Sequence, residues 1–347
     1  MQEGSWFKDV KAGNFFCKPH RSQPAIPPSG PLPPFSGLVH CASAGHRKTI
    51  LFFSGRYQPV LPSDPFLRHL QACNQATLPG GRTPFFLAGR QTGWVSPEIA
   101  PELHRRGLTT ADGALALDDP SHLESLGEQL AQDGFYRSHH ELFDVSPDPD
   151  SETAEGRIDR GALPLFGFRA RGVHMNGLVR RSGGLHLWVG HRAKTKRLDP
   201  GKLDHLVAGG VSAGLTPFEA LKKEAAEEAS ISDEMASQAR HVARISYILA
   251  RPEGLRRDIL HCFDLELPES FEPLPADGEV DHFTLMPLRE VFECVRETDD
   301  FKFNVNLVLI DLFLREGLIS PESEIGRTLR SGLDHGLVPD PCTTDGH

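Results

Sequence analysis

The sequence predicts an α/β protein, a mixed sheet sandwiched between helices and preceded by a small α+β domain. Three observations carry that prediction. Apolar runs of strand length flank a glycine turn at Ser182-Gly183-Gly184. A second pair of such runs appears between 245 and 263, and between the two pairs sits one helix with a sharp start at Thr216-Pro217. A mixed sheet fed by helices buries both faces only when helices pack on each side.

The elements follow in order. Ten of the 28 prolines fall within the first 65 residues, in runs such as Pro24-Ala-Ile-Pro27-Pro28. Proline removes backbone donors and favours extended chain, so residues 1–62 read as a disordered, Pro-rich segment. Its basic, acid-poor, serine-bearing composition suits an organellar transit peptide, and a mis-set start codon accounts for it equally well. Residues 63–150 read as the small α+β domain. Asp64 caps a helix with Pro65 at its first position, Phe85-Phe-Leu-Ala is a short strand, and Leu123, Leu126 and Leu130 recur at helical spacing. Ser146-Pro-Asp-Pro-Asp150 reads as a linker. The larger domain spans 155–320. Strands at 173–179 and 185–189 form a hairpin, strands return at 245–249 and 259–263, and helices cover 217–229 and 303–315. Residues 321–347, polar and broken by Pro and Gly, read as a loose tail.

Composition narrows the function. The 347-residue chain carries a net charge of −10, yet residues 1–60 hold seven Lys/Arg against two acids, which leaves −15 on the remainder. An acidic body argues against nucleic acid as a partner. No run approaches the eighteen or so apolar residues of a membrane-spanning helix, so no membrane partner is expected. The six cysteines are scattered, with no C-x-x-C pair, which fits neither a disulfide framework nor a zinc site. A reducing compartment follows, the cytoplasm, or an organelle if residues 1–60 are a leader.

The stretch Gly209 to Ile231 carries the chemistry. Thr216 is an N-cap, Pro217 takes the first helical position and Glu219 completes a capping box. At 100° per residue, Leu221, Ala225 and Ala229 fall within about 60° of Phe218, a core-facing stripe. Glu224, Glu227 and Glu228 share an arc of about 100° elsewhere. Spacings of three and four residues bring the carboxylates together, and like charges so placed cost a bare helix a few tenths of a kcal/mol per pair. A solvated acidic face is the ordinary reading of such a pattern. A divalent cation would reverse the penalty, since hard cations such as Mg²⁺ prefer oxygen ligands. The glycine turn before the helix lets backbone approach a phosphate closely.

These residues resemble the Nudix box, G-x5-E-x7-R-E-U-x-E-E-x-G-U with U a bulky aliphatic. The resemblance implies a Nudix α/β/α sandwich and metal-dependent hydrolysis of an organic diphosphate, a small-molecule substrate, to a monophosphate. Glu224, Glu227 and Glu228 match the metal-ligating glutamates that hold Mg²⁺ or Mn²⁺, Glu227 and Glu228 also serving in catalysis. Gly209 or Gly210 matches the opening glycine, with Gly209 taken as a backbone metal ligand. Glu279, in Asp277-Gly-Glu279, falls where the family often places a later glutamate that acts as general base or extra metal ligand, an ordinary turn acid being the plain alternative. Leu215 stands where the first glutamate is expected, Lys223 replaces Arg, Ala225 the bulky residue and Ser230 the last Gly. Segments beyond the box, including Asp204-His-Leu-Val-Ala-Gly-Gly and Asp264-Leu-Glu-Leu-Pro, are similar to the branch related to thiamine pyrophosphokinase, which carries an N-terminal accessory domain. That branch implies thiamine diphosphate or its oxidised forms as substrate.

Arg192 and Lys196, in a basic run with Lys194 and Arg197, are candidates to neutralise substrate phosphate, a solvated basic loop being the plainer reading. Trp188 reads as core, and the histidines show no ligand spacing. Two rival functions stay open. The departures at Leu215, Lys223 and Ser230 suit a catalytically silent ligand-binding module. Gly210-Val-Ser212-Ala-Gly214 matches the nucleophile elbow of serine hydrolases. Oligomeric state is open, a homodimer included.

Overall fold

The structure, a computed structural model, describes residues 64–108, 113–148, 153–276 and 278–335. The Pro-rich segment 1–62 and Asp277 lie outside the described residues. Of the helix capped by Asp64, α1 covers Leu67–Cys73, and the Asp64 carboxylate accepts the Phe66 and Leu67 N–H groups. The accessory core follows: β1 (Thr83–Leu87), β2 (Arg90–Val95), α2 (Ala100–Arg105), β3 (Leu115–Leu117), α3 (Leu123–Gln132), the hairpin β4 (Leu142–Val145) and β5 (Gly156–Asp159), and α4 (Leu163–Phe166). Strand β1 pairs antiparallel with β2 and parallel with β3. The three leucines of α3 pack with Phe85, Leu115, Phe143 and Ile158 in one cluster, as their helical spacing predicts.

The central sheet is built from β6 (Arg169–Arg181), β7 (Gly184–Arg192), β8 (Leu203–Asp204), β9 (Val207–Gly210), β10 (Arg240–Arg251), β11 (Gly254–Glu266) and β12 (Val280–Pro287). Its order is β10-β11-β6-β7-β12, with β8 beside β7 and β9 beside β6. Among the described strands of this sheet, only β6 and β11 run parallel. Strand alternation feeds two cores. Leu178 and Cys262 face α7 (Leu288–Glu297), α8 (Val305–Arg315) and α9 (Glu324–His335), whereas Val179 and Phe263 face α5 (Pro217–Ala229) and α6 (Asp233–Ala236). The result is a three-layer α/β/α sandwich.

The structure revises three expected boundaries. Phe66, Leu70 and Cys73 join the core of α8 and α9 rather than that of the accessory domain. The accessory core runs past residue 150, because β5 pairs with β4 across the supposed linker and Leu163, Phe166 and Phe168 pack into it. The expected loose tail contains α9, whose Leu329 and Leu333, four residues apart, are fully buried. No helix among the described residues is long and apolar enough to cross a membrane.

Candidate active site

Helix α5 starts where its cap dictates. The Thr216 hydroxyl accepts the Glu219 N–H at 3.2 Å, while the Glu219 carboxylate accepts the Thr216 N–H at 2.9 Å. Its buried stripe is rotated from the expected one. Phe218 is 37% exposed, while Leu221, Ala225, Ala229 and Glu228 turn inward. A glutamate thus occupies a core-facing position, which is costly unless the group has a partner or a ligand.

That glutamate reaches β9. Glu228 Oε2 accepts the Ala208 N–H at 2.8 Å. Burial pushes its carboxyl well above the usual range, the Ala208 donor opposes this, and Asp204, Glu224 and Glu279 add to the rise. Glu224 is likewise raised by burial, with Lys223 opposing. The carboxylate of Glu224 lies directly over Gly209, where an added Cβ would stand 2.6 Å from Oε2. Glu227 is half-exposed. The Lys223 ammonium bridges the two, 2.8 Å from Glu227 and 3.3 Å from Glu224. One cation therefore already fits between these carboxylates, and a third, Glu228, couples electrostatically to Glu224. Such an all-oxygen donor set suits Mg²⁺ or Mn²⁺.

Alternation along β9 decides which backbone groups face the carboxylates. The Ala208 N–H points off the sheet to Glu228 and Val211 N–H returns to Arg171 on β6. In an antiparallel pair, alternate residues share one direction, so the polar groups of Gly210 turn toward the free edge with Ala208, and those of Gly209 turn toward β6. The steric opening at Gly209 is what seats Glu224.

The other candidates fall in distinct places. Glu279 forms an ion pair with Lys196, and its carbonyl accepts the Ala193 N–H, so these two candidates meet each other beside Glu228. Arg192 is buried. Its guanidinium donates to Asp204 at 2.6 Å and to the carbonyls of Leu198 and Asp199, so it is engaged inside the chain rather than turned to a ligand. The Ser212 hydroxyl donates to Glu141 at 2.7 Å, not to an imidazole; a serine hydrolase would also need an acid, Asp264 or Asp277, and His282, but Asp264 is held by Arg315, His282 stacks on His191, and Asp277 lies outside the described residues.

Sequence reasoning missed a cavity of about 110 Å³ on the opposite side of β9. At ~10–15 Å³ per water, it accommodates roughly ten waters, the size of a small organic group. Ala208, Gly209 and Gly210 line it, so only one strand separates it from the carboxylates. Arg160, Arg171, Arg256 and Lys302 supply positive charge, and Phe143 and Phe168 supply aromatic wall. Asn304 is buried there with its Oδ1 unpartnered among the described residues. No spacing rule gathers these groups, which come from two domains and separate strands.

Behind the cavity, His174, Asp204 and His205 bring donor atoms within 4.8 Å of one another. Asp204 also meets Arg192 and Lys302, the latter at 3.4 Å. Burial works against its charge, but Lys302 and Arg192 outweigh burial and hold it below the usual range. With two cations already on the carboxylate, the cluster is a structural ion-pair network. His174 and His205 share a contact of 2.9 Å between their Nδ1 atoms, and burial lowers both pKa values, that of His205 to about 4.

Residues 170–305 match the model of the NUDIX domain. Nudix hydrolase 24, chloroplastic, of Arabidopsis thaliana is 45% identical over 197 residues, covering 56% of this chain and 54% of the relative. Nudix hydrolase 20, chloroplastic, of the same plant is 44% identical over 184 residues, covering 53% and 49%. This chain therefore spans about half the length of the curated relatives it matches. Among solved structures, DR0079 from Deinococcus radiodurans superposes with a TM-score of 0.39 at 21% identity, over 49% of this chain and 97% of that one.

Proposed function

We propose that the chain is a metal-dependent hydrolase of organic diphosphates that releases a monophosphate. The observation that carries this reading is the buried Glu228, fixed to β9 and grouped with Glu224 and Glu227 on one helix inside a matched Nudix domain. Glu224, Glu227 and Glu228, with the Gly210 carbonyl turned to the same edge, would hold Mg²⁺ or Mn²⁺. When bound, that ion neutralises phosphate oxygens and lowers the pKa of a water. Glu279 takes the proton from the attacking water. Its ion pair with Lys196 holds it in place, and that ammonium is the candidate to meet a substrate phosphate. The cavity across β9, walled by Phe143 and Phe168, is the candidate seat for the substrate's organic end, with the aromatic rings packing on an apolar ring. Beyond the ion, catalysis here is positioning and charge stabilisation.

The plant relatives are named as chloroplastic, which supports an organellar location over the cytoplasm. The sequence resemblance puts thiamine diphosphate and its oxidised forms first among substrates. The test is a product screen with Mn²⁺ and with EDTA on thiamine diphosphate, its oxidised forms, ADP-ribose and NADH. Turnover of at least one compound that EDTA abolishes is expected. Ligand binding without turnover would favour the silent module, to which Leu215 in place of an acid points.

A further inference from the structure

The loop between β9 and α5 is held by the accessory domain at three successive residues, 212–214, and at Gly210, the strand residue just before it. Phe143 packs against Gly210, where an added Cβ would run into its ring. Ser212 Oγ donates to Glu141 Oε1 at 2.7 Å, Ala213 N–H to the Leu142 carbonyl at 2.7 Å, and Gly214 N–H to Asp144 Oδ2 at 2.7 Å. Gly214 adopts φ +81°, a conformation that glycine reaches without steric cost. Strand β4 is itself fixed. Phe143 and Val145 lie in the accessory core, Arg157 donates to Asp144 at 3.1 Å and Arg160 to Glu141 at 3.0 Å.

The loop has a demanding task. It joins Gly210, on the strand edge that faces the carboxylates, to Thr216, which starts α5. Glu224 sits two turns into that helix and packs on Gly209, so any slack in residues 211–215 changes the spacing between the strand edge and the carboxylates. The loop's own sequence, Val-Ser-Ala-Gly-Leu, offers no charged side chain to fix it. The anchoring charges come instead from Glu141 and Asp144, and Glu141 is close enough to Glu224 to contribute to its raised pKa.

We propose that the β4–β5 hairpin is a positioning element of the active site: Glu141, Leu142 and Asp144 clamp the 211–214 loop and so set the geometry of the carboxylates on α5. The accessory domain thus acts in the reaction through the loop, not as a separate module. This inference rests on the hydrolase reading above.

The experiment compares wild type with Asp144→Ala, Ser212→Ala and the conservative Asp144→Asn, which keeps an acceptor oxygen for Gly214 N–H. Four quantities are read: kcat and KM on a turned-over diphosphate, Mn²⁺ affinity by electron paramagnetic resonance titration without substrate, and amide exchange of residues 209–216. Misplacement of about 1 Å costs up to 10²-fold in rate. Asp144→Ala is therefore expected to lose about tenfold or more in kcat with KM within about twofold, to bind Mn²⁺ several-fold more weakly, and to exchange faster only in the loop. Ser212→Ala should show the same pattern more mildly, and Asp144→Asn should recover most of it. Faster loop exchange with wild-type kcat and Mn²⁺ affinity would overturn the proposal, as would unchanged exchange. Wild type that neither binds Mn²⁺ nor hydrolyses any diphosphate sinks the hydrolase reading and this inference with it, whereas normal variants of an active wild type sink the inference alone.

Discussion

The carboxylate of Glu228 accepts the backbone N–H of Ala208 at 2.8 Å, tying the middle of the site to the edge of the central sheet. The side chain is only 6% exposed with its residue, so it is a fixed acceptor rather than a mobile surface acid. Glu228→Gln keeps an oxygen for Ala208 and removes the charge. Because burial penalises that charge, the melting temperature of the metal-free variant should equal or exceed that of wild type. Hydrolysis should nevertheless fall by about 10²-fold or more, the usual scale for a lost transition-state contact. Thermal melts in EDTA alongside turnover in Mn²⁺ check both halves, and a variant that keeps full activity would remove Glu228 from the site.

Gly209→Ala probes the seat of Glu224. An added Cβ would stand 2.6 Å from the Glu224 carboxylate oxygen and closer still to its carbons, with no room on the strand side because Gly209 pairs with Val173. The side chain must leave. A stability loss of about 1–3 kcal/mol is expected from overpacking, together with weaker Mn²⁺ binding, measured by urea denaturation and metal titration. Gly183→Ala, at an open turn where nothing lies within 4 Å, should change neither.

What the sequence revealed depended on how local each signal was. Thr216 and Glu219 are three residues apart, and both halves of their cap form as predicted. The glutamate trio was legible because helical spacing alone groups it. Arg192 was misread for the same reason in reverse. Its basic neighbours suggest a phosphate contact, but the residue that claims it, Asp204, comes from the next strand, β8. The cavity was invisible because Arg171, Arg256 and Lys302 meet only through strand register and the return of the chain into α8. Helix α7 was missed although it has a marked apolar face, Leu288, Val291, Phe292 and Val295. Its start follows directly on β12 at Pro287 with no side-chain cap to announce it.

The buried imidazoles give the fold a pH dependence. His205 titrates at about 4 in the folded chain because burial disfavours its charge, and His174 is lowered too, by burial and by His205. The unfolded values lie near 6.5, so the unfolded chain binds more protons between these limits. Stability from the neutral rings is therefore complete above pH ~6.5 and is lost as pH falls toward 4. A drop from 6.5 to about 4 corresponds to roughly 3 kcal/mol for His205. Urea midpoints at pH 7.5, 5.5 and 4.5 should fall in that order. His205→Gln should flatten the profile, and an equally steep one would assign the loss to other groups.

The strongest stability prediction concerns Arg315, at the end of α8. Its guanidinium makes two bonds to Asp264, at 2.6 and 3.2 Å, and a third to Asp311 at 2.7 Å. Asp264 is 2% exposed and Asp311 wholly buried. Of these two buried carboxylates Arg330 reaches Asp311, at 2.6 Å, while also pairing with Asp334 at 2.7 Å, and Asn176 donates to Asp264 at 2.8 Å. Arg315→Met would keep most of the packing volume and leave the Asp264 carboxylate with the Asn176 amide as its one side-chain donor among the described residues. Removing one partner of a buried pair typically costs about 3–5 kcal/mol because the remaining charge stays desolvated. Arg315→Lys should fall between, since an ammonium cannot reproduce the fork across two carboxylates. Adding Asp264→Asn to Arg315→Met should recover part of the loss by removing the stranded charge, which a double-mutant cycle in urea would resolve. Purely additive losses would mean that the two residues do not interact energetically, and the cluster would then contribute packing alone.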